Sequence, residues 1–293
     1  MIHLQNILVP VDFSEPSKKA VNYGLSLALE FKARLIFAYV TPEYEEAQAR
    51  MLELLPAEYR KTVELECIVR IGNVHEQIRQ IVGEKQIDLV VMGSHGRRYF
   101  ERIFLGSFTE RMLRQLPVPI LTVAHLDPDK EIQPAGPVPL KRILYATDLS
   151  DGSEGGLQFS MRLARAVDAH LTVVHALRSL DHVFLGGESA AYLPDYRAEV
   201  RAKTQERLDR TVANWSDGKV PITTMVRDGV PYQAINKTAE AINADVIVMN
   251  LHGKGRVERA LLGSTAERVI RTATVPVLSL PMPVTYASRW AAA

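Results

Sequence analysis

Cysteine is almost missing from this chain: Cys67 is the single thiol in 293 residues. That excludes an intrachain disulfide and any site built from several thiolates. Cys67 lies between Glu66 and Ile68 in a strand-like run and is expected to be a buried core residue, in keeping with a reducing cytoplasm. Charge of one sign is missing too. Lys plus Arg number 35 against 34 Asp plus Glu, a net charge of +1, which leaves no field to gather a polyanion and makes nucleic acid an unexpected partner. No run approaches the roughly 18 consecutive apolar residues that cross a bilayer, and the chain passes from Met1 directly into an apolar strand. Neither a secretion signal nor a membrane span is expected, and the expected location is cytoplasmic. The two tryptophans stand apart from the motifs below: Trp215 is expected to close a helix against the core, and Trp290 falls in a tail of mostly small residues. There is no Gly-Lys-Ser/Thr of a P-loop, and no His, Cys or close carboxylate cluster of the kind that holds zinc or activates a nucleophile.

What the chain does have is 47% apolar residues, ample for two cores, and an internal repeat. Asn6-Ile7-Leu8-Val9-Pro10-Val11-Asp12-Phe13-Ser14 lines up with Arg142-Ile143-Leu144-Tyr145-Ala146-Thr147-Asp148-Leu149-Ser150. The pairing of Asp12 with Asp148 later becomes a pairing of Gly72 with Gly229, so the second copy is 21 residues longer between those points. The extra segment includes residues 178–196, with Gly186, Gly187 and Pro194, and reads as a loop before a helical stretch at 198–212. It reads equally as a lid, a contact surface or a solvated insertion without function.

Strand and helix patterns alternate in each copy. Strands are expected near 5–11, 34–40, 63–70, 87–92 and 119–124, with helices near 15–32, 44–61, 74–84 and 107–115. Strands recur near 142–147, 170–176, 221–227, 244–249 and 276–280. Ser14 is expected to cap the first helix, with Pro16 in its first turn and Val21, Leu25 and Leu29 on its buried face. This order implies parallel strands joined by right-handed crossovers, an α/β fold. The domains expected are residues 1–126 and 141–283, joined by a semi-rigid Pro-rich linker at 127–140 and followed by a tail at 284–293.

Chemistry concentrates after the fourth strand of each copy. Met92-Gly93-Ser94-His95-Gly96 is followed by Gly106-Ser107-Phe108-Thr109, which opens a helix. Its counterpart is Met249-Asn250-Leu251-His252-Gly253, followed by Gly263-Ser264-Thr265-Ala266. Gly93 and Gly96 permit positive φ and leave no Cβ in a ligand's way, Gly106 lets the backbone touch a phosphate, and Ser107 and Thr109 add hydroxyl donors. The free amides and positive dipole end of the helix favour an anion. Arg97, Arg98 and Arg102 are read either as charge for terminal phosphates or as solvated loop residues. In an open parallel sheet, ligands collect beyond the carboxyl ends of the strands where their order reverses. If the first and fourth strands are neighbours, Asp12 and Gly93 face each other across one crevice. Asp12 and Asp148 are then placed to touch a base or ribose, or to reach a Mg²⁺ bridging phosphates. In the second copy, Asn250 tolerates left-handed geometry but adds a side chain where a ligand needs space, and Ala266 removes a hydroxyl.

These residues resemble the universal stress protein family, whose ATP-binding branch carries Gly-x2-Gly-x9-Gly-Ser/Thr, here Gly93, Gly96, Gly106 and Ser107. The resemblance runs over nearly the whole chain in two tandem copies. It implies two flavodoxin-like domains, similar to adenine-nucleotide alpha hydrolases, each a five-stranded parallel sheet of order 3-2-1-4-5 with helices on both faces. It implies an adenosine pocket of Pro10, Val11, Asp12, Val40, Met92 and Gly93, with phosphates on Gly96, Gly106, Ser107, Phe108 and Thr109; Arg97 joins this set from the residue reading alone. The matching second set is Ala146, Thr147, Asp148, Ala176, Met249, Asn250, Gly253, Gly263, Ser264 and Thr265. It also implies that the halves pack like a dimer through their final strands, whose leading Pro119 and Pro276 suit edge positions. A further homodimer of chains is compatible with this pattern.

The function expected is a stress-response regulator that binds ATP, with or without Mg²⁺, or a related adenine nucleotide. At most slow hydrolysis is expected, because no base for activating water is recognisable. Two other classes remain open: a nucleotide hydrolase or adenylyl-transferring relative, and a scaffold or chaperone whose motif is a relic. His95 and His252 are read as ordering their loops rather than as catalytic groups.

Overall fold

The computed structural model describes residues 4–41, 47–94, 105–123, 138, 140–178, 193–251 and 262–281. Its first half runs β1 (Asn6–Pro10), α1 (Glu15–Phe31), β2 (Arg34–Thr41), α2 (Gln48–Glu53), β3 (Leu65–Ile71), α3 (Val74–Glu84), β4 (Leu89–Gly93), α4 (Ser107–Gln115) and β5 (Ile120–Val123). The second half repeats the plan as β6 (Arg142–Thr147), α5 (Glu154–Ala166), β7 (His170–Leu177), α6 (Leu193–Trp215), β8 (Ile222–Asp228), α7 (Pro231–Ala241), β9 (Val246–Asn250), α8 (Ser264–Thr272) and β10 (Val277–Leu280).

All ten strands form one sheet of order β3-β2-β1-β4-β5-β10-β9-β6-β7-β8. Each half is thus a parallel sheet of order 3-2-1-4-5, as expected from the resemblance. The strands are apolar on both faces because helices cover both. Ile7 and Val9 of β1 face one core, which takes Val21 and Leu25 from α1, Met51 from α2, Leu157 and Leu163 from α5 and Leu208 from α6. Leu8 faces the other, with Ile78 and Ile81 of α3, Met112 of α4, Ile235 of α7 and Val269 of α8.

Local chemistry sets the helix starts. Ser14 is extended and its hydroxyl accepts from the Ser17 amide, with Pro16 in the first turn. Asn73 accepts from the amides of His75 and Glu76 at 3.1 and 3.3 Å, opening α3. A carboxylate before the fourth strand of each half anchors the first: Asp88 Oδ2 accepts from the amides of Gln5 and Asn6, and Asp245 Oδ2 from those of Lys141 and Arg142.

Several expectations change. The helix expected over 44–61 is only Gln48–Glu53, because Pro56 cannot donate to a continuing helix. The stretch expected at 198–212 is part of a longer helix, Leu193–Trp215. Cys67 is half-buried rather than core, since β3 is an edge strand, and burial together with the neighbouring Glu66 raises its thiol pKa. Trp215 ends α6 with 44% of its surface exposed, so it does not close the helix against the core. Pro119 and Pro276 are not at sheet edges. They immediately precede β5 and β10, which lie at the centre of the sheet, and their carbonyls accept from Val90 and Ile247. Of the stretch 127–140, Val138 and Leu140 are described, and the Val138 amide donates to Ser26 Oγ of α1. The tail 284–293 lies outside the described residues.

The halves meet where β10 runs antiparallel to β5, with Val277 opposite Thr122, Leu278 opposite Leu121 and Ser279 opposite Ile120. Thr122, 1% exposed, adds a side-chain bond from Oγ1 to the Val277 carbonyl at 3.1 Å. Thr122→Val keeps the shape and removes that bond. It is expected to lower the unfolding free energy by about 1 kcal/mol in urea titration without changing the strand order.

Candidate functional site

Because β1 lies between β2 and β4, the chain leaves β1 toward one face and leaves β4 toward the other, opening a crevice at their carboxyl ends. The crevice in the first half is a cavity of about 440 Å³. It is lined by Pro10, Val11 and Asp12 after β1, Val40 at the end of β2, Met92 and Gly93 at the end of β4, and Gly106, Ser107, Phe108 and Thr109 at the start of α4. These are ten of the twelve residues that the sequence reading assigned to this half; Gly96 and Arg97 lie outside the described residues, as do His95, Arg98 and Arg102. Ser17, Ala38, Val74, His75 and Ile78 complete the lining.

Asp12 is held by a tight turn. Its Oδ1 accepts from the Ser14 amide at 3.0 Å and from the Ser14 hydroxyl. Phe13, between them, takes φ 63°, a strained left-handed conformation for a non-glycine residue. Its ring is fixed by the Arg50 guanidinium 4.0 Å from its centroid and by Tyr39 at 5.0 Å. Asp148 and Leu149 (φ 55°) repeat the turn in the second half, with Ser150 in the place of Ser14.

On the other wall, Gly106 caps α4 with φ −57° and ψ 133° and without a side-chain cap bond. The positive φ expected of the motif glycines is absent from those described: Gly93 is extended, paired with Val123, and Gly263 repeats the geometry of Gly106. Positive φ occurs instead at Gly72 and Gly229, in the turns before α3 and α7, and at Gly218, in the turn before β8. Two expected ligand donors are already engaged. The Gly106 amide donates to the Ser94 carbonyl at 3.1 Å, and the Thr109 hydroxyl, 2% exposed, donates to the Gly93 carbonyl at 3.0 Å. Thr109 therefore pins α4 to the end of β4, while the anion-facing part of the helix start is left to the first-turn amides and Ser107.

The second half brings Ala146, Thr147 and Asp148 to the end of β6, Ala176 to β7, Met249 and Asn250 to the end of β9, and Gly263, Ser264 and Thr265 to the start of α8; Gly253 lies outside the described residues. Asn250 does not project into the crevice on the α8 side. Strand alternation turns its side chain toward α5, where Nδ2 donates to the Gly152 carbonyl at 3.0 Å while Oδ1 is buried without a partner. Room exists there because residue 156 is glycine, where the first half has Ala20. A Cβ on Gly156 would press on Asn250 Oδ1 and lie 2.6 Å from the Tyr145 hydroxyl. That hydroxyl donates to the Ser153 carbonyl at 2.6 Å, and burial raises its pKa strongly. Thr147 Oγ1 bonds Ser153 Oγ at 3.0 Å and accepts from the Leu149 amide at 3.0 Å. Ala266 provides no counterpart of the Thr109 bond.

The sequence reading missed His75, on the first turn of α3. Its ring lies 5.3 Å from that of Phe108, and its Nδ1 is buried with no hydrogen-bond partner. Burial first, then the positive charge of Arg111, lower its pKa below 6.5. The signal for it was positional: His75 follows Gly72-Asn73 after β3, at the same edge of the sheet as Asp12 and Gly93. Among the described residues no group of three or more His, Cys, Asp or Glu is placed to hold a metal ion. None of the helices searched is long and apolar enough to cross a membrane.

A doubly wound parallel sheet with its crevice at the strand-order reversal defines a flavodoxin-like α/β protein, here in two copies. The model of the universal stress protein family matches residues 3–124 and again 139–281. The chain belongs to that family. A universal stress protein of Methanocaldococcus jannaschii is 34% identical over 143 residues, 49% of this chain and 83% of its own length. One of Mycobacterium tuberculosis is 28% identical over 200 residues, 66% of this chain, and the match spans 61% of that relative. The crystal structure of a universal stress protein from Archaeoglobus fulgidus has a TM-score of 0.63 at 23% identity, covering 95% of this chain and 97% of that one, a likeness of fold.

Two outcomes follow. Gly156→Ala is expected to destabilise the protein by about 1–3 kcal/mol in spite of alanine's helix propensity. The cost falls when Asn250→Gly is present, which a double-mutant cycle reads as coupling between the two sites. His75 is depressed in the folded state, so its contribution is fully present above the unfolded value of 6.5 and is lost as pH falls through the lower folded value. Urea titrations across that window are expected to show wild type losing stability relative to His75→Gln toward acid.

Proposed function

We propose that the first half binds ATP or a related adenine nucleotide and that the protein acts as a nucleotide-dependent regulator in the cytoplasm. The observation that carries this reading is the single cavity shared by Asp12 and the start of α4. One wall offers an acidic acceptor for the hydroxyls of a nucleoside, and the other offers first-turn amides and Ser107 for its phosphates. Its volume of about 440 Å³ falls within the range of roughly 300–1,000 Å³ of small-molecule sites. Val11, Val40, Met92 and Phe108 supply apolar surface for a base.

The residues fit a nucleotide better than a nucleotide with a tightly held metal: Asp12 alone among the described lining residues carries a carboxylate. Binding without rapid turnover follows from the same inventory, since donors that hold a ground-state triphosphate do not by themselves lower the barrier to hydrolysis. The second half is read as the weaker site, because Thr147 is committed to its own turn and Ala266 leaves α8 without the tie that Thr109 provides. The junction of β5 with β10 supports reading the chain as an intrachain pseudo-dimer.

Calorimetric titration of the full chain with ATP tests this. One dominant site per chain is expected, and Asp12→Asn is expected to weaken it by about tenfold or more, as the loss of a charge-assisted hydrogen bond would. Asp148→Asn is expected to leave that site unchanged. Absence of binding heat or thermal stabilisation with ATP, ADP and AMP overturns the reading, and a dominant site that responds only to Asp148 overturns the ranking.

A further inference from the structure

His75 belongs to no motif of the chain, yet it is the imidazole among the described residues of the cavity wall. Its position is fixed from two sides. The Asn73 cap holds its amide at 3.1 Å, and the Phe108 ring lies 5.3 Å away with the two planes 36° apart. The ring therefore sits between the first turns of α3 and α4, the two helices that close the same side of the crevice.

Its hydrogen bonding is asymmetric. Nδ1 is enclosed without a partner. A buried N–H without an acceptor is rarer and costlier than a buried acceptor without a donor, so the ring proton belongs on Nε2. Since Nδ1 is sealed while the residue lines the cavity, the Nε2 edge is the one a ligand meets. We propose that His75 is a specificity-determining residue of this cavity, presenting a neutral Nε2–H to an uncharged acceptor on the nucleoside part of the ligand, with Phe108 as the adjoining apolar wall.

This rests on the nucleotide reading above and adds to it the atom that recognises the nucleoside. Of the charged groups nearby, Arg111 on α4 opposes a second positive charge, whereas the carboxylates of Glu76, the next residue on α3, and of Asp12, across the cavity in the loop after β1, would favour one; the enclosure of Nδ1 without an acceptor decides for the neutral ring. A cationic ring, the stronger partner for a phosphate, would have to bury an N–H at Nδ1 with nothing to receive it.

The test compares the full-length protein with His75→Phe, which keeps a ring and loses the donor, and with His75→Gln, which keeps a donor and loses the ring. ATP affinity is expected to fall about tenfold in His75→Phe, the equivalent of one hydrogen bond, and to recover in part in His75→Gln. The ratio of wild-type to His75→Gln affinity is expected not to rise between about pH 8 and about pH 6, where an unperturbed imidazole charges. Melting temperatures without ligand report folding, and if one variant fails to fold the other carries the comparison. Unchanged affinity in the folded variants overturns the role of His75 and leaves the nucleotide reading intact. A ratio that rises in acid assigns a cationic ring to the phosphates and overturns the neutral donor. Wild-type protein that binds no adenine nucleotide removes the nucleotide reading and this inference together.

Discussion

The placement of β1 between β2 and β4 is the constraint from which the candidate site follows. Because β1 hydrogen-bonds both neighbours in parallel register, the connections after β1 and β4 must diverge to opposite faces, and the gap between them cannot be filled by either. The Asp88 carboxylate fixes the beginning of this arrangement by holding the amides of Gln5 and Asn6. At the far end, the Thr109 hydroxyl on the Gly93 carbonyl fixes the opposite wall. Between these two anchors, Asp12 and the start of α4 line opposite walls of one cavity.

The two halves keep the scaffold and diverge where side chains meet it. The strained Asp-turn survives in both, Phe13 and Leu149 each adopting left-handed backbone after the aspartate. Such strain persists only where neighbouring contacts determine it, and in the first half Arg50 and Tyr39 press on the Phe13 ring. Inside the second half, Tyr145, Gly156 and Asn250 replace Val9, Ala20 and Gly93. The replacements compensate one another: the larger tyrosine and asparagine occupy the space that the missing Cβ of Gly156 leaves. Packing has thus been exchanged within one layer while the sheet order is unchanged.

Much of this was legible in the sequence because it depends on period and position. The helices α3 and α4 were read to their end residues from their apolar period, Asp12, Gly93 and the start of α4 were placed from the strand ends, and Pro10, Val11, Val40, Met92 and Phe108 came from the family resemblance. What was not legible depends on which way a side chain turns. Asn250 was expected in the crevice, and only strand alternation in the folded sheet sends it to α5. The hydroxyl of Thr109 and the amide of Gly106 looked like donors for a ligand, but tertiary contacts with Gly93 and Ser94 use both. Cys67 and Trp215 were expected inside because they are apolar, although an edge strand and a helix terminus leave them half-covered or exposed. His75 escaped because a lone histidine on an amphipathic helix carries no pattern of its own.

The antiparallel meeting of β5 and β10 has a consequence for how the chain presents itself. Every strand within a half points the same way, so reversing direction at that one seam sends the outlets of the two crevices to opposite rims of the sheet. Whatever the first crevice holds therefore lies at one rim of the shared sheet, with the second copy's strand ends at the other.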